Sequence, residues 1–195
     1  MSRAKQPLRP REHPTTRRTA GRWAAFLFAP AIVVGIVVVS TFADSDQNGP
    51  AAAIPFELSS TAGQTVSLSQ ALAGGDALLY FSMGVGCDGC FLQIPELEDA
   101  IRARGLTLLP IMVDPAPVVA YEASRFGIEL PILIDPGARV SAAYGMLGIY
   151  GHGDRPSHSF ALVRQSGDIA WVRHYAEMFV PADVLLGEID AAVGT

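Results

Sequence analysis

The chain has 195 residues, half of them hydrophobic, with 14 basic and 19 acidic residues and a formal net charge of −5. Seven of the basic residues (Arg3, Lys5, Arg9, Arg11, Arg17, Arg18 and Arg22) crowd into the first 22 positions against a single acid, Glu12, which leaves an acidic body. That body lacks the cationic surface needed to bind phosphates, so nucleic acid is excluded as a partner, and the length allows one domain with an appendage.

Residues 1–22 carry Pro7, Pro10 and Pro14 among the arginines and read as a disordered, basic cytoplasmic tail. Residues 23–43, Trp23 to Ala43, contain no charged side chain. At about 1.5 Å per residue such a run crosses a hydrocarbon core of about 30 Å. Pro30 would kink it, which a membrane helix tolerates. Basic residues stay on the cytoplasmic side, so the pattern predicts a single-pass anchor in the cell membrane with the remainder extracytoplasmic. A cleaved signal peptide is the competing reading, with Thr41-Phe42-Ala43 as a passable site. The apolar run is longer than the roughly 7–15 residues of a signal core. Either way the domain faces an oxidising compartment.

Residues 44–53 read as a polar linker and residues 54–195 as one domain. Phe56-Glu57-Leu58 and Thr65-Val66-Ser67 flank Gly63 as a small hairpin. Ser69 to Ala73 reads as a short helix. Leu78 to Phe81 is an apolar run followed by Gly84 and Gly86, the mark of a buried strand that ends in a turn. A helix from Cys90 to Arg104 follows, stopped by Gly105. Leu106 to Val113 is a second buried strand, Val118 to Phe126 a helix, Pro131 to Ile134 a short strand and Ala138 to Tyr144 a short helix. Residues 145–156 are glycine-rich loop. Phe160 to Val163 and Ile169 to Val172 form a hairpin, and a last helix runs from Pro181 to Val193. This alternation predicts a mixed sheet with helices on both faces.

Cys87 and Cys90 are the only two cysteines. Cys87 stands where a strand gives way to a helix, and unpaired N–H groups at a helix start stabilise a thiolate. Asp88, between the cysteines, opposes that effect slightly. A Cys-x-x-Cys after a strand indicates redox chemistry. A purely structural bridge closing so short a loop would constrain the unfolded chain little. A thiolate pair also suits a soft ion such as Cu(I).

These motifs resemble the thioredoxin-like superfamily, in particular the membrane-anchored extracytoplasmic thiol-disulfide oxidoreductases and the peroxiredoxin-type redoxins. The resemblance spans about residues 54–193. It rests on the opening hairpin, on Cys87-Asp88-Gly89-Cys90 followed by Pro95-Glu96-Leu97, on Pro131 to Pro136 and on Ala143-Tyr144-Gly145. It implies a three-layer α/β/α sandwich with a mixed central sheet, preceded here by one transmembrane helix. It also implies a thiol-disulfide oxidoreductase in which Cys87 and Cys90 are catalytic and the partner is a protein thiol or disulfide or a small thiol. No cofactor and no metal are implied.

Three departures from the family pattern bear on activity. Peroxiredoxins carry a threonine or serine three residues before the reactive cysteine and a proline seven before it. Gly84 and Tyr80 stand there, which ranks peroxide reduction below disulfide exchange. The buried acids that serve the second cysteine in related proteins are replaced by Phe81 and Gln93. The cis-proline expected before the next core strand is matched only by Pro156, with His158 just beyond it; both are candidate substrate-binding residues. His158 would also be the third ligand if the domain were a Cu(I) metallochaperone using Cys87, Cys90 and His158. The opposing expectation for His158 is a solvated loop residue. His174 reads as surface and Met83 as core packing.

Overall fold

The computed structural model describes residues 52–194. The expected tail, the anchor over 23–43 and most of the linker lie outside the described residues. Among the described residues no helix is long and apolar enough to cross a membrane.

The opening hairpin forms as predicted, from β1 (Glu57–Ser60) and β2 (Thr65–Ser67). Ser67 ends β2 and starts α1 (Leu68–Leu72): its Oγ accepts the Gln70 N–H at 3.1 Å, and Gln70 Oε1 accepts the Ser67 N–H at 3.1 Å. This capping box satisfies donors that a helix start otherwise leaves open. The central elements are β3 (Ala77–Phe81), α2 (Asp88–Ala103), β4 (Thr107–Met112), α3 (Ala116–Arg125) and β5 (Leu133–Ile134). Then come α4 (Arg139–Ala143), β6 (His158–Val163), β7 (Ile169–Tyr175) and α5 (Ala182–Val193).

The strands make one seven-stranded sheet in the order β2-β1-β5-β4-β3-β6-β7. β3, β4 and β5 run parallel, while β6, β7 and the β1–β2 hairpin are antiparallel to their neighbours. The sheet is therefore mixed, with β3 between β4 and β6. One face packs Leu78, Tyr80, Leu108 and Phe160 against α2 (Ile94, Leu97, Ile101), α3 (Val119, Ala123) and α5 (Leu185, Ile189). The other packs Leu79, Phe81, Leu109 and Ala161 against Leu68 and Leu72 of α1 and against Tyr144 and Met146. Alternate residues of β3 thus go to opposite cores, as strand geometry demands.

Three element boundaries differ from expectation at the end of the sheet where the cysteines lie. α2 opens at Asp88 rather than Cys90, because Cys87 is extended and itself caps the helix. β6 opens at His158 rather than Phe160, and β7 runs on to Tyr175 rather than stopping at Val172. The added register pairs His158 with Tyr175 and Ser159 with His174. Ser157, His158 and Ser159 look like loop residues by polarity, yet all three are wholly buried and find partners inside.

Candidate active site

β3 is buried over its whole length and delivers the chain to the carboxyl end of the parallel strands. Gly84 and Gly86, with φ of +81° and +95°, then turn it back toward α2. Such φ values favour residues without a Cβ. Cys87 is the N-cap of α2, and its Sγ accepts the Cys90 N–H at 3.2 Å. The sulfur thus takes the role that serine or aspartate oxygens fill in ordinary caps. Cys87 and Cys90 are joined as a disulfide. Cys87 retains 5% exposure and Cys90 none.

The loop before Cys87 is strapped by an ion pair. Arg155 donates from Nε and Nη2 to the Met83 carbonyl at 3.0 and 2.6 Å, and from Nη2 to Asp114 Oδ2 at 2.5 Å. Asp114 Oδ2 also accepts the Val85 N–H at 2.8 Å. Met83 joins neither core cluster, so its expected packing role gives way to its carbonyl. The sequence reading passed over Asp114 and Arg155, because each stands alone between proline and glycine punctuation.

On the other side of the disulfide lie residues 176–180, between β7 and α5. A Cβ on Gly89 would stand 2.5 Å from the Met178 carbonyl oxygen. Gln93, one turn further along α2, donates from Nε2 to the Val180 carbonyl at 3.0 Å and accepts the Val180 N–H on Oε1 at 2.7 Å. These two hydrogen bonds, with the Met178 carbonyl close over Gly89, hold residues 178–180 against the start of the helix.

Pro156 is buried and bridges to Leu147, and its peptide bond is trans like every other among the described residues. The expected cis-proline is therefore absent. Pro156 is held in an antiparallel bridge with Leu147 ahead of β6, and the trans isomer is the cheaper by about 0.5–1 kcal/mol.

His158 is neither solvated nor open to a substrate: it is 0% exposed. Its Nδ1 lies 3.0 Å from Tyr80 Oη and its Nε2 lies 3.0 Å from Gln93 Oε1. Both ring nitrogens are thereby engaged, which counts against the third-ligand role. Burial pushes the imidazole down to a pKa of about 4 and the Tyr80 hydroxyl up. Tyr80 Oη also lies 3.1 Å from the Cys90 carbonyl oxygen. On the opposite face of β6, Ser159 Oγ lies 2.6 Å from Ser157 Oγ and 2.8 Å from His174 Nδ1, so His174 is tied into the structure rather than free on its surface. Among the described residues no cluster of three or more His, Cys, Asp or Glu could hold a metal ion.

Comparison with known proteins follows the same lines. Residues 50–172 match the model of the AhpC/TSA family. The thiol-disulfide oxidoreductase ResA of Halalkalibacterium halodurans is 27% identical over 124 residues, which are 62% of this chain and 65% of that protein. The chain thus spans just under two thirds of that relative's length. Among solved structures, the peroxidoxin BcpB of Mycobacterium tuberculosis superposes with a TM-score of 0.61 at 23% identity, covering 73% of this chain and 96% of that one. A putative protein disulfide isomerase of Bacteroides thetaiotaomicron gives a TM-score of 0.57 at 24% identity, covering 74% and 89%. The thioredoxin-like fold is common to all of these, and the chain belongs to the AhpC/TSA family.

Proposed function

We propose that this protein is an extracytoplasmic thiol-disulfide oxidoreductase that cycles Cys87 and Cys90 between disulfide and dithiol. The observation that carries this reading is the capping geometry: Cys87 Sγ accepts the Cys90 N–H at the start of α2. A helix start of this kind stabilises a thiolate. In the reductive direction a thiolate of the partner attacks Cys87 Sγ, the S–S bond breaks, and its electron pair leaves on Cys90 Sγ. A second partner thiol then cleaves the mixed disulfide, so the partner becomes a disulfide and Cys87 and Cys90 are left reduced. Oxidation of a partner is the same sequence reversed, with Cys90 resolving the mixed disulfide. The related oxidoreductase ResA supports this assignment by similarity.

Cys90→Ser is expected to accumulate a mixed disulfide on Cys87 with a protein or small thiol, and Cys87→Ser is not. Equal trapping by both variants would reject the assignment. The extracytoplasmic location rests on the arginines ahead of the apolar stretch at 23–43. A reporter fused after residue 50 should be active only outside the cytoplasmic membrane.

Peroxide reduction is the second reading, favoured by membership of the AhpC/TSA family. It ranks lower because Gly84 offers no hydroxyl three residues before Cys87.

A further inference from the structure

The buried chain Cys90–Tyr80–His158–Gln93 contains one hydrogen too few for its contacts. Gln93 pairs with both the N–H and the carbonyl of Val180, which fixes its Oε1 as an acceptor. His158 Nε2, 3.0 Å from that oxygen, must then carry a hydrogen. A neutral imidazole has only one, so Nδ1 is a bare acceptor and takes the Tyr80 hydroxyl hydrogen. The Cys90 carbonyl, 3.1 Å from the same hydroxyl oxygen, is left facing a lone pair. Adding a proton at His158 Nδ1 reverses this. The ring then donates to Tyr80, and Tyr80 donates to the Cys90 carbonyl. Every contact of the chain is satisfied only in the cationic form, and burial alone opposes it.

We propose that His158 is a redox-linked proton site, taking up a proton when the Cys87–Cys90 disulfide is reduced and releasing it on oxidation. The inference rests on the oxidoreductase reading above. The step balances with a partner dithiol as reductant. The dithiol gives two electrons and two protons and becomes a disulfide; one proton goes to Cys90 as a thiol and the other to His158 Nδ1. Cys87 remains a thiolate, capped by the Cys90 N–H. The new negative charge on Cys87 and the new positive charge on His158 cancel. His158 acts through Tyr80 and the Cys90 backbone, so it is a positioning residue rather than one that touches the reacting sulfurs.

The surroundings of the ring leave the cysteines as the charge that changes. Tyr80 faces it from β3, Phe160 from β6, Tyr175 across the ladder on β7, and Gln93 from α2. Beyond Tyr175, Arg173 and Glu188 join β7 to α5 as a pair at 2.9 Å and compensate each other. The side before α5 presents the Val180 backbone.

The test is titration of the His158 ring by NMR in the full chain, first as the disulfide and then reduced by a dithiol. On reduction the midpoint is expected to rise from about 4 to near neutrality, about three units, the upper end of what a new opposite charge nearby produces, and a reduced-state midpoint that stays near 5 would overturn the proposal. Identical midpoints in the two states would overturn the proposal, and this comparison needs no variant. Tyr80→Phe should shrink the rise, since it removes the hydroxyl between ring and carbonyl. His158→Gln keeps a donor and an acceptor but cannot take a proton. It should move the Cys87 thiol pKa upward and remove a bend from the plot of midpoint potential against pH. An unchanged plot would also reject the idea. If the parent protein is not reversibly reduced at all, the oxidoreductase reading fails. Reversible reduction with a static His158 fails this inference alone.

Discussion

Asp114 occupies the space that a side chain on Gly84 would need. A Cβ built on Gly84 overlaps Asp114 Oδ2, the oxygen that holds the Val85 N–H and Arg155. The glycine is required twice over, because its φ of +81° also disfavours residues with a Cβ. Gly84→Thr, which introduces the hydroxyl expected of a peroxiredoxin, should therefore cost at least about 2 kcal/mol of stability from strain and overpacking. It should bring no gain in peroxide turnover. Thermal unfolding and peroxide consumption by the reduced protein measure the two effects. Fast peroxide reduction by Gly84→Thr would show that the missing hydroxyl alone limits that chemistry.

The Asp114–Arg155 pair should matter more for the geometry of Cys87 than for global stability. Arg155 is about one third exposed, so the ion pair itself contributes little. The larger effect is the Val85 N–H, which loses its acceptor in Asp114→Ala at a cost of about 1–3 kcal/mol. With residues 83–86 released, disulfide exchange at Cys87 should slow on the order of ten- to a hundredfold. Asp114→Asn keeps one carbonyl acceptor and should lie between parent and Asp114→Ala. Rates in Asp114→Ala equal to those of the parent would remove the pair from the positioning of Cys87.

The apolar strands were legible in the sequence, since Leu78 to Phe81 and Leu106 to Val113 are continuous hydrophobic runs and a fully buried parallel strand looks like nothing else of that length. The Cys-x-x-Cys at the strand-to-helix junction was legible for the same reason. What sequence reasoning missed is the polar machinery around it. Ser157, His158 and Ser159 read as loop because polarity was taken as exposure, whereas all three are buried, His158 and Ser159 with partners far away in sequence and Ser157 against Ser159. Gln93 was read only as a missing acid, and its bond to Val180 spans 87 residues. Long-range pairings of this kind leave no local period. The signal that could have found them is Gln93 on the apolar side of α2, in line with Cys90, Ile94 and Leu97.

Gly89 separates local propensity from tertiary fit. Alanine is favoured over glycine inside a helix by about 1 kcal/mol. Here its methyl would press on the Met178 carbonyl, which is backbone and cannot swing aside. Gly89→Ala should therefore destabilise the fold by about 1–3 kcal/mol and displace residues 176–180. In the reduced protein the displaced segment should expose Cys90, so alkylation of Cys90 should quicken relative to Cys87. A stabilised Gly89→Ala protein would show that residues 176–180 yield freely.

His158 should also leave its mark on acid stability. Its native pKa of about 4 lies below the ordinary value of about 6.5 because burial penalises the cation. At neutral pH neither the folded nor the unfolded chain binds this proton. As pH falls through about 6.5 the unfolded chain takes it up and the native protein does not, so stability declines. The decline ends near pH 4, where native His158 is protonated as well. Over that window the loss is roughly 3 kcal/mol. Asp190, held below its ordinary value chiefly by its hydrogen bond to Arg104, titrates at lower pH and does not overlap. Urea unfolding of the disulfide form at pH 7, 5.5 and 4.5 should thus show a sloping acid limb in the parent. His158→Gln should show a flatter limb over the same range, even if it is less stable overall. Parallel limbs in the two proteins would mean that His158 is already protonated in the native state. The bare Nδ1 that turns a Tyr80 lone pair toward the Cys90 carbonyl would then not exist.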